Sequence, residues 1–348
     1  MPEYVAPGVY IEEVSPAGAI EGVRTSTAGF VGVADRGPTD APHFVESFTE
    51  FEGTFGDRCQ LAHAARAFFE QDGRRLYVQR VDGPGEYARG LEAFESVDEI
   101  ATVAAPGADA AEELVAHATR CNRFAVVDPP RTSTVGDAVA LRERIDSPYA
   151  AVYYPWVRAD VDIAPSGFVA GAFARTDAQR GVWKAPANVS IAGATGLERT
   201  VTEADSERLA SSGVNPFRIF VEGQVVLWGA RTTSSDPEWK YVSVRRYLTF
   251  LEHSIDRGTR WTVFEPNEEP LWTAVVERIS VFLRSQFRLG ALAGRTEDQA
   301  FFVRCDRTTT TQDDLDQGLL VCLIGVAPVR PAEFIDIRIG RWTADHCR

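Results

Sequence analysis

The chain has 348 residues, of which 45% are hydrophobic and 25% charged, and its formal net charge is −14. This length allows two domains with ordinary cores, and the composition is typical of globular proteins. Contacts to nucleic acid phosphates require clustered basic residues, so the acidic charge predicts no nucleic acid partner. The longest apolar run, residues 319–329, is shorter than a bilayer-spanning segment, which predicts no membrane insertion.

The cysteines and the N-terminal residues indicate the compartment of synthesis. The five cysteines are odd in number and none lie at CxxC spacing, which in a chain of this length argues against a disulfide framework. The opening Met-Pro-Glu-Tyr-Val lacks the basic and apolar regions of a signal peptide. We therefore predict a protein that is synthesised in the cytoplasm.

Residues 1–20 are predicted to form an extended arm, because prolines and glycines recur there and prevent a stable helix. Within this arm, residues 9–14 have the composition of a short β-strand. From residue 28 to residue 154 strands and helices alternate, which predicts a parallel α/β sheet covered by helices. The predicted strands are 28–34, 75–81, 124–128 and 149–154, and the predicted helices are 61–71, 110–120 and about 136–145.

Residues 155–215 are rich in Ala, Gly, Pro and Ser and are predicted to be less regular. In the C-terminal third, Asp236-Pro237-Glu238 is a strong helix start, and Gly258 is a suitable residue to follow the helix end. A second long helix is predicted to begin at residues 267–270 and to end at about Leu289. The predicted strands of this third are 218–221, 225–228, 260–264, 301–303 and 319–326.

The second long helix is amphipathic. Its apolar stripe is formed by Leu271, Val275, Ile279, Phe282 and Leu283, with Trp272 and Val276 beside it. The opposite side carries Glu277, Arg284 and Arg288. The sequence leaves open whether this polar side is a solvated surface or a docking face for an acidic partner.

No catalytic, cofactor-binding or metal site is predicted. The five histidines lack HExxH or HxH spacing, and neither a GxSxG elbow nor a GxxxxGK[ST] phosphate loop occurs. The glycine-rich residues 193–196 are interpreted as an ordinary turn. The acidic group Asp313, Asp314 and Asp316 is interpreted as a solvated loop or a helix N-terminus.

A strand at the C-terminus is the clearest β pattern in the chain. Residues 334–342 alternate between apolar and polar side chains, and prolines at 328 and 331 separate them from the preceding core. A strand of about nine residues reaches roughly 30 Å and exposes unpaired backbone groups until it joins a sheet. The pattern alone favours pairing of both terminal strands within their own chain, with donation to a neighbouring subunit as the alternative.

Several segments, in order along nearly the whole chain, resemble the contractile tail sheath family, which is shared by phages with contractile tails, tailocins, type VI secretion and extracellular injection particles. These segments are PGVYIEEV (7–14), TSTAGFVG (25–32), GVWKAPAN (181–188), NP (215–216), WGART (228–232), the run 241–264 with the helix after it, AP (327–328) and PAEFI (331–335).

The resemblance implies an architecture. An outer α/β domain, subtilisin-like in topology but without catalytic residues, would span residues 21–235. An inner α+β domain would span 236–330, and extended arms, 1–20 and 331–348, would complete a sheet in neighbouring subunits. The donated strands would contain Val9, Tyr10, Ile11, Glu12 and Val14 at the N-terminus and Phe334, Ile335, Ile337, Ile339 and Trp342 at the C-terminus.

The resemblance also implies a function. The chain would be a structural subunit, not an enzyme, that polymerises as stacked six-fold rings around an inner tube and contracts to drive the tube through a target envelope. Its further partners would be baseplate and cap proteins, and its short length resembles the sheaths of injection particles. Arg284 and Arg288 are the expected contacts to the tube. The alternatives are a non-contractile shell protein or an α/β hydrolase-like enzyme.

Overall fold

The computed structural model describes residues 19–220 and 223–333. The strands, in chain order, are β1 (Ala28–Gly32), β2 (His43–Val45), β3 (Leu76–Arg80), β4 (Thr102–Ala104), β5 (Phe124–Val127), β6 (Ala150–Tyr154), β7 (Val157–Arg158), β8 (Asp162–Ile163), β9 (Val189–Ser190), β10 (Gly196–Leu197), β11 (Val214–Ile219), β12 (Val225–Leu227), β13 (Phe301–Arg304) and β14 (Leu323–Val326). The helices are α1 (Phe48–Phe55), α2 (Gln60–Glu70), α3 (Tyr87–Ala93), α4 (Ala111–Arg120), α5 (Val135–Arg144), α6 (Pro165–Arg180), α7 (Glu203–Ser211), α8 (Val242–Thr259), α9 (Glu269–Arg288), α10 (Glu297–Ala300) and α11 (Gln312–Asp316).

A nine-stranded sheet in the order β2-β3-β1-β4-β5-β6-β11-β12-β9 dominates the first two thirds of the chain. Its central strands, from β3 to β11, are parallel, whereas β2, β12 and β9 are antiparallel to their neighbours. Parallel neighbours need long crossovers, which the helices supply. The predicted parallel α/β sheet is confirmed. A subtilisin-like topology stays a prediction.

Helices cover both faces of this sheet. Side chains at alternate strand positions point to opposite faces. Phe30 accordingly belongs to the apolar cluster that includes residues of α1, α2 and α6, whereas Val31 belongs to the cluster that includes residues of α3, α4, α5 and α7. The central strands are buried along their whole length, because both faces are covered. The sheet and its helices α1–α7 are called the sheet body below.

Helix α6 lies where the sequence analysis predicted a less regular segment, so that prediction was wrong. Most of its residues are buried, including Ser166, Gly167 and Gly171. A helix that is buried on nearly all sides lacks the polar face from which helical periodicity is detected. Its small residues allow close approach to α2: a Cβ at Gly167 would lie 2.5 Å from the carbonyl oxygen of Ala64.

The C-terminal part consists of α8–α11 with the antiparallel pair β13–β14. The predicted apolar stripe of the second long helix is confirmed, since Val275, Ile279, Phe282 and Leu283 are buried in a cluster shared with α8 and this strand pair. The acidic group near residue 314 is the N-terminus of α11, where Asp314 and Thr311 form a capping box. None of the helices in the described ranges has the length and apolar content that crossing a membrane requires.

The predicted strand 260–264 is wrong. Residues Arg260–Thr262 form a 3-10 turn that continues from α8. The indole of Trp261 is covered by the guanidinium of Arg278, 3.9 Å from the ring centroid, and Phe264 has a φ of 72° and a fully exposed side chain. The aromatic and β-branched residues favour a strand locally, but the short connection between α8 and α9 overrides that preference.

A buried ion pair joins the C-terminal part to the sheet body. The Arg246 guanidinium of α8 donates to both carboxylate oxygens of Asp177 in α6, at 3.0 and 2.6 Å. Both side chains are 3% exposed. Arg246 also donates to the carbonyl oxygen of Thr25, at 3.2 Å, and its guanidinium lies 4.5 Å from the centroid of the Phe173 ring.

A buried carboxyl group fixes the start of α6. One oxygen of Asp128, just after β5, accepts a hydrogen bond from the Ser166 amide at 2.7 Å, and the other accepts from the Ser166 hydroxyl at 2.6 Å and from the Gly107 amide at 3.1 Å. Burial raises the pKa of Asp128 to about 6, because the three hydrogen bonds offset only part of the cost of desolvating its charge.

We predict that Gly167→Ala lowers the free energy of unfolding by about 1–3 kcal/mol, because the added methyl group would meet the backbone of α2. The matched control is Gly136→Ala in α5, where the nearest atom to the added Cβ is 3.6 Å away. The control should be neutral or stabilising by up to about 1 kcal/mol, since alanine favours helix over glycine. Urea unfolding of both variants checks this, and an equal loss in both would contradict the packing argument.

We predict that Asp128 makes stability fall as pH rises. Its folded pKa lies above the ordinary value, so the protonated form favours folding, and this contribution is lost between about pH 4 and about pH 6. Asparagine cannot ionise. As pH rises through that window, the free energy of unfolding of Asp128→Asn should therefore rise by on the order of 2 kcal/mol relative to that of the wild type. Unfolding of both proteins at a series of pH values measures this difference in stability. The control is Asp57→Asn, at an exposed carboxylate. A difference between Asp128→Asn and the wild type that does not change with pH would contradict the assignment.

Candidate assembly interface

The strand pair β13–β14 is an open antiparallel ribbon, called the acceptor ribbon below. Its register runs from Phe301 opposite Val326 to Arg304 opposite Leu323. Within the described ranges neither strand pairs with a third one. Residues 291–293 pair with residues 327–329, which lie beyond the end of β14. Such edges present backbone donors and acceptors that another strand can pair with.

The two faces of the acceptor ribbon differ. Phe301, Val303, Ile324 and Val326 pack against the cluster that contains α9. On the other face Phe302 is 53% exposed and Leu323 is 44% exposed. The Phe302 ring lies over Gly325, where an added Cβ would be 2.1 Å from the ring. A pair of strands is only marginally stable in isolation, so packing on α9 supports it and further strands would add to that support.

The last described residues of the chain are held by a carboxylate clamp. Glu333 accepts hydrogen bonds from Arg231 at 2.6 and 2.8 Å, from the Lys240 ammonium at 2.6 Å and from the Tyr241 hydroxyl at 3.2 Å. Arg231 itself is positioned by its backbone amide, which donates to the Asn215 side chain at 2.7 Å. The four donors, called the Glu333 clamp, fix the point from which residues 334–348 continue.

The electrostatics of the clamp favour an ionised carboxylate. Burial alone would raise the pKa of Glu333, but hydrogen bonds from Arg231 and Lys240, together with their charges, outweigh burial and leave the pKa below its ordinary value. Bidentate pairing with a guanidinium is among the stronger ionic contacts of proteins. The clamp is therefore intact at neutral pH and should weaken as the pH falls through the lowered pKa.

The first described residues are also held on α8. Ile20 is buried and packs on Gly258, where an added Cβ would lie 2.6 Å from the isoleucine side chain. The Val23 amide donates to the Ser254 hydroxyl at 3.0 Å. The N-terminal root thus lies at the end of α8, and the Glu333 clamp lies at its beginning. From Tyr241 to Gly258 the helix rise separates the two roots by roughly 25 Å.

The predicted donated strands lie outside the described residues. This applies to the predicted N-terminal strand (Val9, Tyr10, Ile11, Glu12 and Val14) and to the predicted C-terminal strand (Phe334, Ile335, Ile337, Ile339 and Trp342). Their pairing with neighbouring subunits stays a prediction. Sequence reasoning quoted Arg231 and Glu333 within motifs but missed the clamp, because nothing in the sequence brings together side chains that are 102 residues apart.

The two arginines predicted to face a tube lie near the end of α9 in different environments. The Arg284 guanidinium pairs with Glu297 of α10 at 2.9 Å, whereas Arg288 is exposed in the last helical turn. Near Arg288, Leu289 is 60% exposed and Val281 is 42% exposed. Tube contact stays a prediction for both arginines, and the surface at this end of α9 is cationic and apolar.

Three potential metal ligands meet beside α4: Glu95, His117 and Cys121. Two arginines already engage them. Arg120 pairs with the Glu95 carboxylate, and the Arg123 guanidinium lies 3.1 Å from Nε2 of His117. Burial and these guanidinium groups lower the pKa of His117 to about 4, so the ring is neutral and Nε2 accepts from Arg123. A bound cation would have to displace both arginines.

Comparison with known families identifies the chain. The phage tail sheath protein central domain matches residues 82–233, and the phage tail sheath C-terminal domain matches residues 234–340. The chain belongs to the phage tail sheath family. This sheath-family chain is 29% identical over 233 residues to a prophage major tail sheath protein of Pseudomonas aeruginosa strain UCBPP-PA14. That alignment covers 64% of this chain and 58% of the relative.

Solved structures resemble the sheath-family chain over almost its whole length. A chain of the PVC sheath complex, an extracellular contractile injection system in its contracted state, is 30% identical, with a TM-score of 0.83 and coverage of 99% of this chain and 100% of that chain. A chain of the six-fold symmetrised baseplate of the anti-feeding prophage is 30% identical, with a TM-score of 0.81 and coverage of 98% and 100%. The predicted resemblance to contractile sheaths is thereby confirmed.

We predict that Glu333→Gln loosens the C-terminal root. Glutamine retains the shape but loses the charge that Arg231 and Lys240 contact, so the free energy of unfolding should fall by about 1–3 kcal/mol at neutral pH. Hydrogen exchange at the amides of Ala332 and Glu333 should accelerate. Glu238→Gln, at an exposed glutamate near the same helix start, is the control. The clamp would be refuted if exchange at the root were the same in the wild type and in both variants.

Proposed function

We propose that this chain is the structural subunit of a contractile sheath in a phage tail-like particle. Subunits assemble as stacked six-fold rings around an inner tube, between a baseplate and a cap, and contraction drives the tube through a target envelope. Membership of the sheath family and the likeness to contracted-state and six-fold assemblies support this proposal. Synthesis in the cytoplasm and a role without catalysis belong to the same proposal.

The observation that carries the proposal is the acceptor ribbon with its two unpaired edges among the described residues. Each strand of the ribbon contains four residues, which span roughly 13 Å, and a nine-residue terminal strand reaches roughly 30 Å. A donated arm can therefore pair along a whole edge and still leave residues to bridge the gap to the donor. Two free edges can accept two arms, one from each end of neighbouring chains.

The arms link subunits through backbone hydrogen bonds, which persist when subunits rotate relative to one another. Their roots are fixed on α8 by the Glu333 clamp and by the contact of Ile20 with Gly258, so rotation is concentrated in the residues beyond the roots. In this proposal the arms are 1–20 and 331–348, and the outer and inner domains are 21–235 and 236–330. The junction of the two matching family domains, between residues 233 and 234, supports that boundary.

The inner domain faces the tube in this proposal. The exposed Arg288 supplies positive charge at the end of α9, where Arg284 is paired with Glu297. The chain as a whole is strongly acidic, with a net charge of −14. Acidic subunits repel one another at long range. Assembly therefore requires local arginine–carboxylate contacts between them.

We predict that replacing Ile335, Ile337 and Ile339 by aspartate abolishes polymerisation without unfolding the chain, because one apolar face of the donated strand becomes charged. Replacing Asp336 and Arg338 by serine alters the opposite face and is the matched control. Negative-stain microscopy should show tubes of stacked rings for the wild type and the control only. Tubes formed by the aspartate variant would refute strand donation, and a single helical state under all conditions would favour a fixed shell.

A further inference from the structure

Two cysteines face each other at the end of the acceptor ribbon. The register pairs Phe301 with Val326 and Arg304 with Leu323, and its continuation by one residue places Cys305 opposite Cys322. Both thiols are free in the structure. Cys305 is 8% exposed and Cys322 is half-buried against the same apolar cluster as the ribbon.

The pair is held from both sides. The ladder ends at Arg304 and Leu323 on one side. On the other side the hydroxyl of Thr310, which is 1% exposed, accepts from the Val321 amide at 3.1 Å and donates to the Val321 carbonyl at 3.3 Å. The Thr310 hydroxyl thus makes the two hydrogen bonds that a further residue of β13 would otherwise make with the Val321 backbone. The backbones on both sides of the cysteines are therefore fixed, and their Cβ atoms cannot separate freely.

This geometry meets the requirement for a disulfide bond. Directly opposite residues of an antiparallel pair have Cα atoms about 4.5 or 5.5 Å apart, depending on the hydrogen-bonding class. Disulfides bridge Cα atoms that are about 4.4–6.8 Å apart, so both classes qualify. Bridging of Cys305 and Cys322 therefore requires little movement of the backbone.

Burial keeps both thiols largely protonated at neutral pH. Burial and the neighbouring Cys305 thiol raise the pKa of Cys322 to about 11. Burial and the Asp306 charge raise the pKa of Cys305. Since the thiolate is the reacting species, oxidation is slow and the pair stays reduced in a reducing compartment.

We propose that Cys305 and Cys322 form a redox staple, a disulfide that closes the end of the acceptor ribbon when the chain meets a low-molecular-weight disulfide oxidant. The thiolate of the more exposed Cys322 attacks one sulfur of the oxidant, whose S–S bond breaks and releases one thiol. The Cys305 thiolate then attacks the Cys322 sulfur of the mixed disulfide and releases the second thiol. The two electrons and the two thiol protons pass to the oxidant, which leaves as two thiols.

The staple acts on the element that receives donated strands, and its importance for assembly rests on the proposed function. A disulfide between Cys305 and Cys322 closes the loop of residues 306–321 and limits its freedom when the ribbon opens. A ribbon that is already ordered loses less conformational entropy when it pairs with an incoming strand. A sheath made under reducing conditions would thus become more resistant to loss of its arms after exposure to an oxidising medium.

The experiment treats the purified full-length chain with oxidised glutathione at about pH 8, alkylates the remaining thiols and maps the peptides by mass spectrometry. We expect one disulfide-linked peptide pair containing Cys305 and Cys322, while Cys59 and Cys121 are alkylated. The yield per unit time should rise with pH, as attack by a thiolate of high pKa requires. Hydrogen exchange of residues 301–304 and 323–326 should be slower in the oxidised chain than in the reduced chain.

Matched variants separate the staple from other products. Cys347→Ser should leave the linkage unchanged, whereas Cys322→Ser should abolish it and leave Cys305 alkylated. Full alkylation of Cys305 and Cys322 after this treatment, or a linkage that needs Cys347, would overturn the proposal. If the linkage forms but no chain polymerises, the proposed sheath function fails and the staple chemistry stands. If tubes form without the linkage, only the staple fails.

Discussion

The fold depends on the buried ion pair between Arg246 and Asp177, because this pair joins α8 to α6 of the sheet body where both charges are withdrawn from water. A guanidinium that is 3% exposed cannot be hydrated, so loss of its carboxylate partner would leave a buried charge and cost about 3–5 kcal/mol. The pair also fixes the carbonyl of Thr25. One side chain therefore positions the N-terminal root, helix α6 and helix α8 relative to one another.

This arrangement makes α8 the common support for both arms. The Glu333 clamp lies at Lys240 and Tyr241, before the first turn, and Ile20 packs on Gly258 near the last turn. A pulling force on one arm can reach the other through a helix about 27 Å long, whose rise per residue is fixed by its own hydrogen bonds. The clamp also ties the C-terminal root to the sheet body, because the amide of Arg231 donates to the Asn215 side chain of β11.

Local patterns in the sequence predicted the elements that have one exposed face and the sheet whose strands alternate with helices. The stripe of α9 and the buried strands β5 and β6 belong to this group. The predictions from sequence were wrong where tertiary contacts determine the local structure. Helix α6 is buried on nearly all sides and shows no helical period of apolar residues. Residues 260–264 have high strand propensity but lie in a short connection between two helices. The Glu333 clamp could not be predicted, since it forms between residues that only the folded chain brings together. The same holds for the facing cysteines, whose register is a property of the ribbon.

The open edges of the acceptor ribbon lie beside a packed core. Among the described residues this core consists of three apolar clusters, two on the sheet body and one between α8, α9 and the acceptor ribbon, and Ile20 of the N-terminal arm belongs to the third. The ribbon edges retain the capacity to pair with a further strand. Exposed edges also favour uncontrolled association, and the acidic net charge opposes this at long range. In the proposed sheath, pairing would then be restricted to strands that a correctly placed neighbour brings close, which is the condition for an ordered polymer rather than an aggregate.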